Sequence, residues 1–173
     1  MVNIRKLGEG DAEVLWRLRF EALETDPVAF RESPEEHQRT TVAELASRLG
    51  SGGDGNFVVG AFDGGELVGM AGFYRDGHLK RRHIGHVWGV FVAPSARGKG
   101  VGRALLTELT ETAKAMEGLR CLRLMVSVTQ EEARHLYERV GFRVFATEPT
   151  SLKIGERFVG EYHMTLEFLD SRS

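Results

Sequence analysis

The sequence predicts a mixed α/β fold in which helices cover the faces of a central sheet. Three observations support this fold class. Alternating apolar stretches typical of strands are interspersed with stretches of helical periodicity. A strand, a glycine-rich turn and a helix start follow one another without interruption between Val90 and Arg103. The chain has 173 residues, enough for one domain with a substantial core, so we expect a single domain over residues 1–173.

The N-terminal part is predicted to contain one strand and then helices. Val2–Leu7 alternates loosely as a strand, and Asp11 is positioned to cap a helix that ends near Pro27, since proline disfavours helix in the residue before it. The apolar positions of that helix include Val14, Leu15, Leu18, Ala22 and Leu23. Two capping-box signatures, S-x-x-E and T-x-x-E, then predict a short helix or a broken pair ending at Gly50.

Strands dominate the middle of the chain. Phe57–Phe62 and Glu66–Tyr74 flank the turn Asp63-Gly64-Gly65, and this turn chemistry predicts a hairpin. Ile84–Val92 is the next predicted strand and leads into the glycine-rich turn. After the helix that follows this turn, Leu119–Val128 alternates strongly enough to be another strand.

The last part of the chain is predicted to add one helix and two strands. Thr129 with Glu132 forms a third capping-box signature, which predicts a helix that ends at Gly141-Phe142. A strand to Ala146, a loop through Pro149 and a final strand over Phe158–Phe168 complete the predicted order.

Composition narrows the class of protein. Hydrophobic residues make up 42% of the chain and charged residues 28%, and the net charge of −2 gives no basic field that would attract nucleic acid or an anionic membrane. Cys121 is the only cysteine, which excludes an internal disulfide and suits a reducing compartment. The first residues lack an apolar signal region, and no apolar run is long enough to cross a bilayer. We therefore expect a soluble, cytoplasmic protein that binds neither nucleic acid nor membranes.

The glycine-rich turn has the features of a phosphate-binding site. Glycines at positions 98, 100 and 102 allow a sharp turn and close approach to a ligand, and the N–H groups of the following helical turn attract anions. Arg97, Lys99 and Arg103 add positive charge at the same helix end. A P-loop would need serine or threonine after Lys99, and a dinucleotide fingerprint would need glycine or alanine in place of Arg103, so the spacing excludes both nucleotide motifs.

The segment Arg97-Gly98-Lys99-Gly100-Val101-Gly102 resembles motif A of the GCN5-related N-acetyltransferases, a family that uses acetyl-CoA. A second segment is similar to motif B of that family, with an alanine, a Leu-Tyr pair and a Gly-Phe pair at the expected offsets. These residues are Ala133, Leu136, Tyr137, Gly141 and Phe142. The resemblance implies the acyl-CoA N-acyltransferase fold, with a mixed but mostly antiparallel central sheet, and implies acetyl-CoA as the acetyl donor.

The resemblance also implies which residues contact the donor. The main chain of the strand before the glycine turn lies along the pantetheine arm and thioester in the family, and the turn surrounds the pyrophosphate. Gln130 stands where the family usually has an asparagine that contacts the pantetheine arm. The implied donor-binding residues are Val90, Phe91, Val92, Arg97, Gly98, Lys99, Gly100, Val101, Gly102, Arg103 and Gln130.

Two residues are candidates for catalysis by this resemblance. Tyr137 occupies the position of the family's general acid, and a phenol with a pKa near ~10 can pass a proton to a thiolate. The alternative is that Tyr137 is only a core aromatic residue.

His86 occupies the position of a glutamate base found in some members, and an imidazole that is mostly neutral at pH 7 can accept a proton directly or through water. Glu161, His163 and water remain alternatives for the base, and His86 can also be a strand residue without a catalytic role.

Other features leave the acceptor open. Trp88 shares a strand face with His86 and either lines the acceptor pocket or fills the core. His83 and His86 point to opposite strand faces and no zinc signature is present, so we expect no metal site. Acidic residues in the first helices would suit a polyamine, although helix capping also requires acids.

We therefore expect an N-acetyltransferase that modifies a primary amine of a small molecule or peptide by direct attack in a ternary complex. The competing hypothesis is a non-catalytic sensor module that binds acyl-CoA. A homodimer is possible by analogy with the family.

Overall fold

One mixed sheet organises residues 1–53 and 55–169, the part of the chain that the computed structural model describes. Its strands are β1 (Asn3–Lys6), β2 (Asn56–Asp63), β3 (Glu66–Arg75), β4 (Ile84–Val92), β5 (Cys121–Ser127), β6 (Arg143–Ile154) and β7 (Arg157–Glu167). The strand order is β1-β2-β3-β4-β5-β7-β6, and β4 and β5 are its parallel neighbours while the other pairs are antiparallel. The predicted mixed, mostly antiparallel sheet is thus confirmed.

Helices cover both faces of this sheet, as predicted. They are α1 (Ala12–Thr25), α2 (Pro34–His37), α3 (Val42–Ser51), α4 (Val101–Lys114) and α5 (Glu131–Val140). Within the described ranges, no helix has the length and apolar content needed to cross a bilayer.

Each face of the sheet carries its own hydrophobic core. The neighbouring residues Val58 and Val59 of β2 point to opposite faces and belong to different buried clusters. One cluster includes the buried face of α4, with Leu105, and also receives Tyr137 of α5. The other includes Leu15 of α1. The sheet therefore separates an α4/α5 side from an α1 side.

Local sequence signals determine several of these elements. Asp63 pairs with Glu66 across a two-residue turn, where Gly64 and Gly65 have φ values of 57° and 89°, so the predicted hairpin is confirmed. Both capping boxes in the N-terminal part are also present. At the first, the Ser33 hydroxyl accepts a hydrogen bond from the Glu36 N–H at 3.2 Å, and the Glu36 carboxylate accepts one from the Ser33 N–H at 2.8 Å. The second starts α3, and together they make α2 and α3 a broken pair.

Three details at helix starts differ from the prediction. Val14 is 39% exposed and does not belong to the core. Helix α1 begins directly after Asp11, but this carboxylate accepts hydrogen bonds from Arg5 and the Gly8 N–H instead of capping the helix. The prediction of a Thr129 cap is wrong because the Thr129 hydroxyl bonds to Ser127 at 2.9 Å and α5 starts only at Glu131.

The predicted loop through Pro149 is also wrong. Strand β6 continues through this residue to Ile154, with pairing to β7 that shifts register between Glu148 and Leu152. A sheet interior excludes proline because it has no N–H to donate, but an edge strand with a bulge accepts it. Strand β6 is the edge of the sheet, which is why Pro149 does not end it.

Burial in the α4/α5 core predicts the effect of truncating a leucine. Leu105 is 0% exposed, and Leu105→Ala should lower the free energy of unfolding by about 2–5 kcal/mol because it removes packed atoms and leaves a cavity. Val14→Ala, on the exposed side of α1, is the control and should cost less than about 1 kcal/mol. Urea unfolding of both variants measures the difference, and equal losses would contradict this assignment of the core.

Candidate functional site

The parallel strands β4 and β5 pair only at their first residues. The pairing runs from Ile84 opposite Cys121 to His86 opposite Arg123, and no further pair joins these two fully described strands. The remaining parts of β4 and β5 form two walls of a cleft of about 700 Å³, lined by residues 87–92 on one side and 124–127 on the other. Main-chain groups of β4 that face this gap have no partner strand there, so a ligand can pair with them as a strand would.

A bulge in β4 shapes the middle of the cleft wall. Trp88 lies opposite Gly72 and Phe91 lies opposite Met70, so β4 contains one residue more than β3 over this interval. Gly89 lies within the bulge and has a φ of 63°, which residues other than glycine rarely adopt. The bulge therefore changes the alternation of side chains where β4 leaves β5.

The glycine-rich turn closes one end of the cleft. Gly100 has a φ of 78° and is the N-cap of α4, and no side chain caps this helix end. The first N–H groups of α4 are therefore available to an anion in the cleft. A Cβ built on Gly102 would lie 2.9 Å from Leu136 Cδ2, so the absence of a side chain there allows α4 and α5 to approach closely.

The three basic residues of the turn differ in their hydrogen-bond partners and in whether they line the cleft. Arg97 lines the cleft, donates from Nε to the Val92 carbonyl at 2.9 Å, and forms an ion pair with Asp26 at 2.8 Å. Lys99 does not line the cleft and its Nζ donates to the Ser95 carbonyl at 3.2 Å. Arg103 lines the cleft from the first turn of α4. Arg97 thus joins the turn to the end of α1, and Arg103 supplies charge to the cleft.

Helix α5 forms the opposite wall and carries Tyr137. This side chain is 7% exposed, lines the cleft, and packs edge-on against Phe142 with ring centroids 6.1 Å apart. Burial raises the pKa of the Tyr137 phenol well above its usual value near 10, so the hydroxyl stays protonated at neutral pH. Tyr137 is therefore both a core residue and a protonated hydroxyl in the cleft.

Helix α5 and its N-cap add three more residues to the cleft lining, of which the sequence analysis named one. Gln130, at its N-cap, lines the cleft as predicted for a donor contact, although the contact itself stays a prediction. His135 and Arg139 also line the cleft. Their spacing of four residues places them on one helix face, and this spacing is the signal that could have identified them.

The structure does not bring His86 to the cleft wall. Its Nε2 lies 3.2 Å from the Asp76 carboxylate, and its ring stacks on Tyr74 with centroids 4.6 Å apart. Asp76 also accepts hydrogen bonds from Arg81 and from the backbone of His78, and these donors hold the pKa of its carboxyl well below the usual range. Asp76 therefore stays ionised and keeps His86 in a fixed orientation.

The two alternative bases also have partners outside the cleft lining. Glu161 is buried and accepts hydrogen bonds from Arg31 at 2.9 Å and from the Ser151 hydroxyl at 2.5 Å. His163 lies 3.1 Å from the Glu148 carboxylate. Among the described residues, no cluster of three or more His, Cys, Asp or Glu side chains is arranged to hold a metal ion.

A second cavity of about 380 Å³ lies on the α1 side of the sheet. Residues of α1, α3, β2 and β3 line it, and it shares Trp88 and Gly89 with the cleft. A Cβ built on Gly72 would lie 2.2 Å from the Trp88 indole, so Trp88 packs closely over Gly72 on this face. The β4 bulge is thus part of both cavities.

Comparisons with known proteins agree with this architecture. The family model described as Acetyltransferase (GNAT) family matches residues 17–142. A mycothiol acetyltransferase from Streptomyces bingchenggensis is 31% identical over 150 residues, which cover 85% of this chain and 44% of that protein. An N-alpha-acetyltransferase RimI from Mycobacterium tuberculosis is 38% identical over 88 residues, 51% of this chain and 52% of that protein. The chain spans between about a quarter and a half of the length of the curated relatives it matches.

Solved structures with the same fold were also found. The acetyltransferase of the GNAT family from Streptococcus pneumoniae superimposes with a TM-score of 0.88 at 27% identity, covering 97% of this chain and 100% of that one. The Salmonella typhimurium protein yncA, solved with its cofactor acetyl-CoA, superimposes with a TM-score of 0.84 at 20% identity, covering 99% and 96% of the two chains.

Proposed function

The chain belongs to the Acetyltransferase (GNAT) family, and on this basis we propose that it is an acetyl-CoA-dependent N-acetyltransferase that acts on a primary amine of a small molecule or peptide. One observation carries the proposal. A single cleft contains the unpaired edge of β4, the uncapped start of α4 and the protonated hydroxyl of Tyr137. The acetyl-CoA bound to yncA supports the choice of donor.

The described residues fit the parts of this donor. The polar main chain of Val90–Val92 would pair with the pantetheine amides, because it faces the gap left by β5. The turn and the first residues of α4, from Arg97 to Arg103, would hold the pyrophosphate through N–H groups and positive charge. Gln130 would contribute an amide from α5.

The reaction that we propose is direct transfer within a ternary complex. Bound acetyl-CoA supplies a thioester carbonyl carbon, to which the amine nitrogen bonds as the carbon–sulfur bond breaks. Main-chain N–H groups near Val92 would stabilise the negative charge that develops on the carbonyl oxygen. Tyr137 would donate its proton to the departing sulfur, since its phenol is protonated at neutral pH and lines the cleft.

The amine must also lose a proton, and we propose that His86 accepts it through water. His86 lies two residues before Trp88 on β4, and Trp88 borders both cavities. The ionised Asp76 would stabilise the imidazolium that forms. A water relay is required because His86 lies outside the cleft lining.

Donor binding is tested first by thermal unfolding. Acetyl-CoA at about a hundred times its Kd should add ~2.7 kcal/mol to the free energy of unfolding, a rise in Tm of roughly 5–10 °C, whereas ATP and NAD should give none. Gly100→Ala should weaken acetyl-CoA binding by about tenfold or more, because alanine disfavours the φ of 78° that shapes the turn.

The control for this variant is Gly64→Ala in the β2–β3 turn. Gly64 also has a positive φ, 57°, and open space around its Cβ position, but it is not part of the cleft lining. It should therefore share the backbone strain and keep full acetyl-CoA binding. Equal binding by both variants, or a larger shift with a nucleotide, would remove the proposed donor site.

The role of Tyr137 is tested by Tyr137→Phe. The variant should bind acetyl-CoA normally and lose about a hundredfold in kcat, because only the proton donor is removed. Tyr162→Phe, which alters a tyrosine outside the cleft lining, is the control and should keep its kcat. Coenzyme A release measured with a thiol reagent gives both rates. An unchanged kcat in Tyr137→Phe would leave Tyr137 as a core residue only, and wild-type binding without turnover would favour the sensor module.

The role of His86 is tested by His86→Gln across pH. We expect kcat/KM at pH 7 to fall about a hundredfold and to recover as pH rises and the amine deprotonates in solution. His78→Gln is the matched control, since His78 also contacts Asp76 but its side chain is 88% exposed. A profile of His86→Gln that superimposes on the wild type would exclude His86 as the base.

A further inference from the structure

The second cavity meets the cleft at the β4 bulge, next to the residues 90–92 along which the donor is proposed to lie. The two share Trp88 and Gly89, and the rest of the second cavity extends below α1 and α3. A molecule in this cavity therefore reaches the β4 edge from the opposite face of the sheet. The position suits an acceptor, and the chemistry of the lining indicates which acceptor.

Arg19 of α1 has one buried donor without a partner. Its Nε donates to a Glu32 carboxylate oxygen at 2.8 Å, and its Nη2 forms an ion pair with the same oxygen at 2.7 Å. Its Nη1 is buried and has no hydrogen-bond partner among the described residues. A Cβ built on Gly89 would lie 3.0 Å from Nη1, so this nitrogen is directly at the bulge. Buried donors of charged groups are rarely left without an acceptor, and a ligand oxygen would supply one.

The charges around the second cavity favour an anion. Its charged lining residues are Arg19, Arg48 and Glu32, and Glu32 is already paired with Arg19. His37 also lines this cavity. Its Nε2 donates to the Trp16 carbonyl at 3.0 Å, and a histidine side chain carries no negative charge. Of the N-terminal carboxylates that suggested a polyamine, Glu32 alone is among the lining residues of this cavity, and it is paired with Arg19.

The remaining lining is mainly apolar and suits a hydrocarbon side chain. The apolar side chains of this lining that belong to the α1-side core are Leu15, Leu45, Leu49, Val58, Met70 and Trp88. They surround a volume of about 380 Å³. A ligand that fills this space needs an apolar body in addition to its anionic group.

We infer that the second cavity binds the acceptor, and that this acceptor is a free α-amino acid with an apolar side chain whose carboxylate pairs with Arg19. The inference rests on the proposed acetyl transfer. The unpartnered Nη1 lies at Gly89, where the two cavities meet, and we place the acceptor amine at the same junction. Amine and carboxylate are then close together in the acceptor, as they are on one carbon of an α-amino acid. A polyamine has no anion, and the N-terminal residue of a peptide has no free carboxylate beside its amine.

The first test is calorimetric titration of the wild-type protein, saturated with coenzyme A, with leucine, methionine and phenylalanine. We expect saturable binding of at least one of them, and binding of its amide weaker by about tenfold or more because the carboxylate is missing. No saturable binding of any of the three, or equal binding of acid and amide, overturns the inference.

The second test assigns the carboxylate site to Arg19. Arg19→Met should abolish the preference for the acid over the amide, while the Tm shift with acetyl-CoA stays as in the wild type. Arg17→Met, on the same helix with its side chain 70% exposed, is the control and should keep the preference. Arg19→Lys keeps the positive charge and should restore part of the preference for the acid over the amide, which a loss of packing alone would not predict. Retained preference in a folded Arg19→Met protein overturns the inference.

Turnover separates failure of this inference from failure of the proposed function. If acetyl-CoA does not raise the Tm of the wild type, the proposed function as a whole is overturned. Acetylation of spermidine or of a dipeptide, with no acetylation of the three amino acids, would leave the transferase in place and overturn the acceptor class. Coenzyme A release that depends on an apolar amino acid and not on its amide supports both.

Discussion

The short pairing between β4 and β5 is the constraint on which the rest of the site depends. Every other strand pair is antiparallel and can be joined by a turn, but this parallel pair is connected through α4 and stays together for only three residues. Beyond it, β4 keeps its bonds to β3 and leaves its other edge to the cleft. The glycine turn, α4 and α5 then enclose a gap that the sheet itself creates.

The bulge at Gly89 connects the two sides of the molecule. Without an extra residue, β4 would alternate regularly and present one surface to each core. With it, a single stretch of backbone borders the cleft on the α4/α5 side and the second cavity on the α1 side. Arg97 reinforces this connection, since it bonds both to the end of β4 and to Asp26 after α1. The cleft and the second cavity are therefore connected through the β4 backbone and the Arg97–Asp26 ion pair.

Sequence patterns predict the elements whose cause is local. The Gly64-Gly65 hairpin and the capping boxes at Ser33 and Thr41 depend on neighbours in the chain, and the structure confirms them. The Thr129 cap and the Pro149 loop fail because tertiary position decides them: a competing bond to Ser127 in one case, and an edge strand in the other. The donor that Arg19 leaves unpaired has no local signal, since it depends on Glu32 and Gly89, which are distant in sequence.

The two edge strands of the sheet, β1 and β6, have features that discourage pairing with another chain. At one edge β1 is only four residues long and carries Arg5 and Lys6; at the other, β6 is irregular around Pro149, which has no N–H to offer. Short, charged or proline-containing edges discourage another chain from extending the sheet, which is the first step towards aggregates. The strand backbone that is left without a neighbour is instead inside, at β4, where it borders a cleft of about 700 Å³ rather than open solvent.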